Sequence, residues 1–129
     1  MKNSSAWIVP SGAVSLAMYA SVGKVCILSI DSATSQAFFN MVFDNVIIRN
    51  IIYYRLKKAD YFKEWEPYIS TGTQRNLNAA KVRAFEIQLP KSIEAKNISE
   101  FFWYIDNLIT LHQRKPVFLI YLYLALFHV

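Results

Sequence analysis

The sequence predicts an α+β fold: a small mixed, β-rich domain with short helices, then one amphipathic helix, then an apolar tail. Three observations carry this. Short apolar runs broken by turn residues fill positions 6–43, helical periodicity governs 47–65 and 91–115, and positions 116–129 contain no Lys, Arg, Asp or Glu. At 129 residues the chain fits one domain with a core, and 54% hydrophobic residues with a mean hydropathy of +0.22 exclude a disordered chain.

The strands come first. Trp7 to Val9 is apolar, Pro10-Ser11-Gly12 is a turn, and Ala13 to Tyr19 is a second strand. Gly23-Lys24 marks another turn before the buried-strand run Val25 to Ile30, and Gly12 and Gly23 are read as hairpin punctuation. Asp31 to Ser35 is a polar connection. Gln36 to Phe43 is an aromatic-rich core strand, with a helix as the alternative. Ser21-Val22-Gly23-Lys24 fails as a phosphate loop, because Met18 stands where the first glycine belongs and Val25 where a Ser or Thr belongs.

Ile47 to Trp65 has a helical period. Ile48, Ile51, Ile52, Leu56 and Ala59 form one stripe, with Asn50 and Lys57 on the opposite face. Arg55 falls within the stripe and has to snorkel or find a partner. Asp60 to Trp65 either continues the helix or forms a separate turn, and Pro67 ends it. Tyr53, Tyr54, Tyr61 and Trp65 stand among cations, as base-stacking residues do, but packing against the sheet is the preferred reading.

Ser70 to Pro90 combines a glycine turn at Gly72, a short helix and an alternating segment. Asn78 is an N-cap for Ala79 to Ala84, and Leu77 and Val82 occupy the positions of a hydrophobic staple. Phe85, Ile87 and Leu89 then alternate with Glu86 and Gln88, a strand pattern that Pro90 closes. Between Lys91 and Lys115 lies the clearest helix, with Ile98, Phe101, Phe102, Ile105, Leu108 and Ile109 on one stripe. Glu94 and Arg114-Lys115 suit its dipole, and His112 extends the stripe without a second ligand at helical spacing. Pro116 is expected to stop the helix. The fourteen residues beyond it fall short of the roughly twenty needed for a membrane span, leaving a buried strand or an aggregation-prone tail.

The net charge of +5 is concentrated in one section. Residues 1–48 balance, while residues 49–115 carry twelve Lys or Arg against seven Asp or Glu. A phosphate-binding surface and a solvated basic helix face weigh equally on charge alone. Cys26 is the only cysteine and is expected as a small core residue, which with a start lacking an apolar signal region points to a cytoplasmic setting. No Ser–His–acid arrangement, metal-ligand cluster or nucleotide loop is recognisable, so a non-catalytic chain with no cofactor and no metal is expected.

The segment TGTQRNLN (Thr71 to Asn78), the ending FEIQLP (Phe85 to Pro90) and the helix YIDNLITLHQRK (Tyr104 to Lys115) resemble the specificity subunits of type I restriction–modification enzymes. In that family two target-recognition domains each read one half of a split DNA site, and spacer helices hold the methyltransferase subunits. The resemblance implies a partial recognition domain at 1–90, the start of a spacer helix at 91–115 and an atypical tail at 116–129. It implies double-stranded DNA and the modification and restriction subunits as partners, with no small-molecule substrate. The opening part of the recognition domain is expected to be missing, and Glu94 is followed by Ala95 where the family carries Glu-Gln. The charge-free tail is read as the product of a frameshift or rearrangement.

The expected DNA contacts are Lys24, Thr71, Gly72, Thr73, Gln74, Arg75, Asn76, Lys81 and Arg83. Arg75, Lys81 and Arg83 would meet phosphates together with the Thr71–Thr73 backbone amides, while Gln74 or Asn76 could reach base edges. Similar TGTQ and NL sequences recur in family members with different targets, which assigns the motif to architecture and phosphate positioning. The expected subunit interface is Ile98, Phe101, Phe102, Ile105, Leu108 and Ile109. Two alternatives stand beside DNA binding: an interaction fragment acting through that stripe, and a small membrane-associated protein using residues 116–129.

Overall fold

The protein is described from a computed structural model covering residues 7–70, 72 and 74–127, without the side chains of 115–124 and 127. Five short strands form two antiparallel sheets. β1 (Trp7–Val9) pairs with β4 (Ser32–Thr34), Ile8 standing opposite Ala33. The second sheet has the order β3-β2-β5, with β2 (Val14–Ala17) between β3 (Val25–Ile27) and β5 (Phe38–Met41). All four residues of β2 are buried, as suits a central strand covered on both faces.

Both turn glycines have the left-handed backbone that a side chain resists, but they do different work. Gly12 (φ +83°) carries the chain from one sheet to the other, its amide bonded to the Leu28 carbonyl at 2.7 Å. Gly23 (φ +89°) closes the β2–β3 hairpin, and a Cβ there would lie 2.8 Å from Trp65 Cδ1.

α1 (Val46–Tyr61) begins at Asn45, whose side-chain oxygen accepts from the Ile47 and Ile48 amides at 2.8 and 3.2 Å. Its Leu56 and Ala59 enter the core with Val14 and Leu16 of the sheet. The chain then turns through Lys63 (φ +57°) into a 3-10 turn at Glu66–Tyr68, so Asp60 to Trp65 is not a simple continuation of the helix. Trp65 is buried, with its ring 4.3 Å from that of Phe85. α2 (Ala79–Arg83) is capped by Asn78, and Leu77 and Val82 both reach the core, as the staple reading requires.

α3 (Ser92–Phe127) packs against α1. It buries Ala95 and Ser99, places Phe102 5.0 Å from the Tyr54 ring, and accepts the Tyr54 hydroxyl on Asp106 at 2.9 Å. Burial first, and then this hydrogen bond, push the Tyr54 hydroxyl far above its ordinary pKa.

Six expectations are corrected. Residues 85–90 form no strand: Phe85 and Ile87 pack on the core while Glu86 and Gln88 are exposed, but their backbone joins no ladder. One packed face suffices to produce that alternation. Pro116 does not stop α3, because a proline removes one donor and crowds one carbonyl, which a helix can absorb as a local bend. For the same reason residues 116–127 continue the helix and are not the buried strand, one of the two expectations for them. The polar connection at 31–35 contains β4, whose Thr34 is buried. Cys26 is exposed, since on edge strand β3 it alternates with the inward Val25 and Ile27. Asn50 is buried, not solvent-facing, because α1 has α3 on one side and the sheet on another.

Gly23→Ala is expected to destabilise the fold by about 1–3 kcal/mol, from overpacking against Trp65 and the positive φ. Leu77→Ala should cost about 2–5 kcal/mol by leaving a cavity. Urea unfolding measures both, and a wild-type midpoint for Gly23→Ala would contradict the packing described.

Candidate nucleic-acid interface

The loop from Ser70 to Asn76 closes on itself. The Ser70 amide donates to the Asn76 carbonyl at 3.0 Å, and one step later the Leu77 amide donates to the Met18 carbonyl at 2.8 Å. Asn76 also forms an isolated bridge to Tyr19, so the loop's exit is pinned beside the end of β2. Its side chain turns inward, donating to the Gln74 carbonyl at 3.0 Å. Asn78 Oδ1 accepts from the Lys81 amide at 2.9 Å, which satisfies one of the open donors at the start of α2.

Most of the expected DNA-contact residues gather around this closure. Arg75 extends from the loop and donates to Glu66 Oε1 at 2.6 Å, both side chains being well exposed. Lys81 reaches back from α2 to Ser70 Oγ at 3.0 Å. Arg83 is exposed and lays its guanidinium over the Phe39 ring of β5, 5.4 Å from the centroid. Gln74 and Gly72 are exposed, and nothing lies within 4 Å of where a Gly72 Cβ would stand. Thr71 and Thr73 lie outside the described residues.

Lys24 belongs elsewhere. Its ammonium pairs with Asp60 at 2.7 Å and borders a cleft of about 1030 Å³ between α1 and α3, lined also by Tyr54, Arg55, Pro90 and Phe102. Arg55, the cation inside the apolar stripe, finds both Glu64 at 2.6 Å and the face of Phe85 at 5.0 Å. The aromatic residues divide. Trp65 and Tyr54 pack internally, whereas Tyr61 is exposed and edge-on to Phe62.

The α3 stripe divides: Ile98 and Phe102 face α1, while much of the rest does not. Phe101, Phe102, Leu108 and Ile109 are between 43% and 60% exposed, so an apolar face remains outside the fold. His112 is exposed beside Leu108 and Ile109. The periodicity missed Asn50, Tyr54, Ser99 and Asp106, which join α1 to α3. An asparagine in mid-helix, where its propensity is poor, was the available sign of such a role.

A self-closed polar loop with exposed cations, carried on a small sheet and followed by a long helix, is the setting in which the sequence comparisons take their place. The family described as the type I restriction modification DNA specificity domain matches residues 1–119, and the chain belongs to that family. Among individual relatives, it is 29% identical over 128 residues to the type I restriction enzyme MjaIX specificity subunit of Methanocaldococcus jannaschii. The alignment takes in 98% of this chain and 29% of that relative's length.

Asn78→Ala should lower stability by about 1 kcal/mol through loss of the cap. Arg75→Ala should change it by less than about 0.5 kcal/mol, because the pair with Glu66 is exposed. Thermal unfolding of the two variants side by side checks the contrast, and equal losses would contradict it.

Proposed function

We propose that this chain is a non-catalytic DNA-binding component of a type I restriction–modification system, helping to direct methylation and restriction subunits to one half of a split site. The observation that carries this reading is membership of the DNA specificity domain family over residues 1–119. Residues 1–90 would form part of a target-recognition domain, and α3 would begin the spacer.

In this reading Arg75, Lys81 and Arg83 meet phosphates around the closed loop. None needs to unfold anything to do so: Arg75 would exchange an exposed carboxylate for a phosphate, and Lys81 a neutral hydroxyl. Gln74, which is exposed, would approach a base edge, whereas the Asn76 side chain is held on the Gln74 carbonyl. Lys24, paired with Asp60 beside the α1–α3 cleft, is the weakest member of the set.

The exposed α3 stripe favours a second, compatible role. Large apolar side chains clustered on a surface mark interaction sites, and Phe101, Leu108 and Ile109 are such a cluster. Co-purification with a methyltransferase subunit that is lost on Ile105→Asp would support it. Among the described residues no helix is long and apolar enough to cross a membrane.

Titrating the chain with duplex DNA across a salt series tests the principal reading. Affinity should fall steeply with salt, and Arg75→Ala, Lys81→Ala and Arg83→Ala should each reduce the slope by about 1 with uniform weakening across sequences. Glu66→Gln should tighten binding by releasing Arg75. Slopes unchanged in all three variants would remove the loop from the DNA interface.

A further inference from the structure

Two polar contacts join α1 to α3 from positions 49 and 52 residues apart in the chain. Asn50 Nδ2 donates to Ser99 Oγ at 3.0 Å, with both residues buried. Asn50 Oδ1 is held by Arg49 Nε and Nη2 at 3.1 and 2.9 Å, so the amide is oriented with its nitrogen toward α3. One turn further along α1, the Tyr54 hydroxyl donates to Asp106 at 2.9 Å. The contacts advance in the same direction along both helices.

The rest of the seam is apolar. Ala95, Ile98 and Phe102 make contacts with no preferred direction, which set how far α3 lies along α1 less sharply than a hydrogen bond does. A slip of one turn in one sense would bring Ala95 opposite Asn50 and Phe102 opposite Tyr54. The opposite slip would bring Trp103 and Thr110 to those places. In either case the buried Asn50 amide loses its acceptor, a loss that apolar packing does not replace. Buried polar pairs set register between helices for this reason.

We propose that Asn50–Ser99 and Tyr54–Asp106 are a register lock, in which these side chains act as positioning residues for the helix that leaves the domain. Its consequence for function rests on reading α3 as the start of the spacer. A one-turn slip would move whatever α3 carries by about 5.4 Å relative to the loop at 70–83.

Spin labels at Lys58→Cys on α1 and Asn97→Cys on α3, in a Cys26→Ser background of the full chain, report the register directly. The labelled parent should give one narrow distance distribution. Asn50→Leu combined with Ser99→Ala should add a second population shifted by up to about 5 Å, one helical turn, while cooperative unfolding is kept. Ser99→Ala with Tyr54→Phe removes only two hydroxyls, and serves where the first pair fails to fold; the same second population is expected. A single narrow distance in folded Ser99→Ala/Tyr54→Phe protein would overturn the proposal. The distances are read without DNA, so failure of the lock and failure of the DNA-binding reading are separate results.

Discussion

The backbone hydrogen bond from Leu77 to the Met18 carbonyl, 2.8 Å long, ties the second half of the chain to the first. Met18 follows the buried central strand, and the Leu77 side chain is fully buried against that strand's core. An amide taken out of water is costly to leave unpaired, so the bond and the burial of Leu77 enforce each other. On one side of this point the loop closes through Ser70 and Asn76. On the other, Asn78 caps α2, Val82 re-enters the core, and Phe85 stacks on Trp65. The path into α3 is therefore set by a chain of local contacts starting at the end of β2.

This arrangement changes the meaning of the basic excess in residues 49–115. Several of those cations have acidic partners: Arg55 with Glu64, Arg75 with Glu66 and Lys96 with Glu100. The count of cations consequently overstates the number free to meet a polyanion, although the net excess of positive charge is unchanged by the pairing. The pairs are not equivalent, however. Arg55 and Glu64 are each about 30% exposed and Arg55 also packs on Phe85, so separating them would disturb the core side of α1. Arg75 and Glu66 are held in a largely aqueous setting, where an ion pair contributes little and a phosphate competes on even terms. For this pair of ion pairs, exposure separates a cation that is free to change partners from one that is held by the fold.

Much of the fold was legible in sequence because its signals were local. Trp7–Val9, the Asn78 cap, the Leu77–Val82 staple and the α1 stripe through Ile51, Leu56 and Ala59 all follow from spacing within a few residues, whereas of the expected buried run Val25–Ile30 only Val25–Ile27 is strand and Ile30 is exposed. What failed depended on a distant partner. β4 is invisible in Ser-Ala-Thr until β1 is placed beside it, and Asn50 reads as solvent-facing until α3 supplies Ser99. Phe85 to Leu89 has a strand's alternation without a strand's neighbours. The cation cluster around α2 was legible as a set of residues. The separation of Lys24 from it was not, because only the packing of α1 against β3 brings Asp60 next to the β2–β3 hairpin.

The closed loop also bears on how much sequence information it could read. In the stretch from Gln74 to Asn78, three positions are committed to structure: Asn76 folds back onto Gln74, Leu77 is buried and Asn78 caps α2. Replacing any of them to suit a different base would damage the loop that presents the rest. Arg75 is exposed, but in the proposed reading it meets phosphate, which carries no direct sequence information. Gln74 is left as the single position in this stretch whose identity could vary with little structural cost. One glutamine can discriminate a base pair or two at most, too little for a half-site. On the proposed reading, if the family's recurring TGTQ and NL segments serve targets that differ, the discrimination would lie in the strands and connections around the loop, and Ser70–Arg83 would set the distance at which they meet DNA.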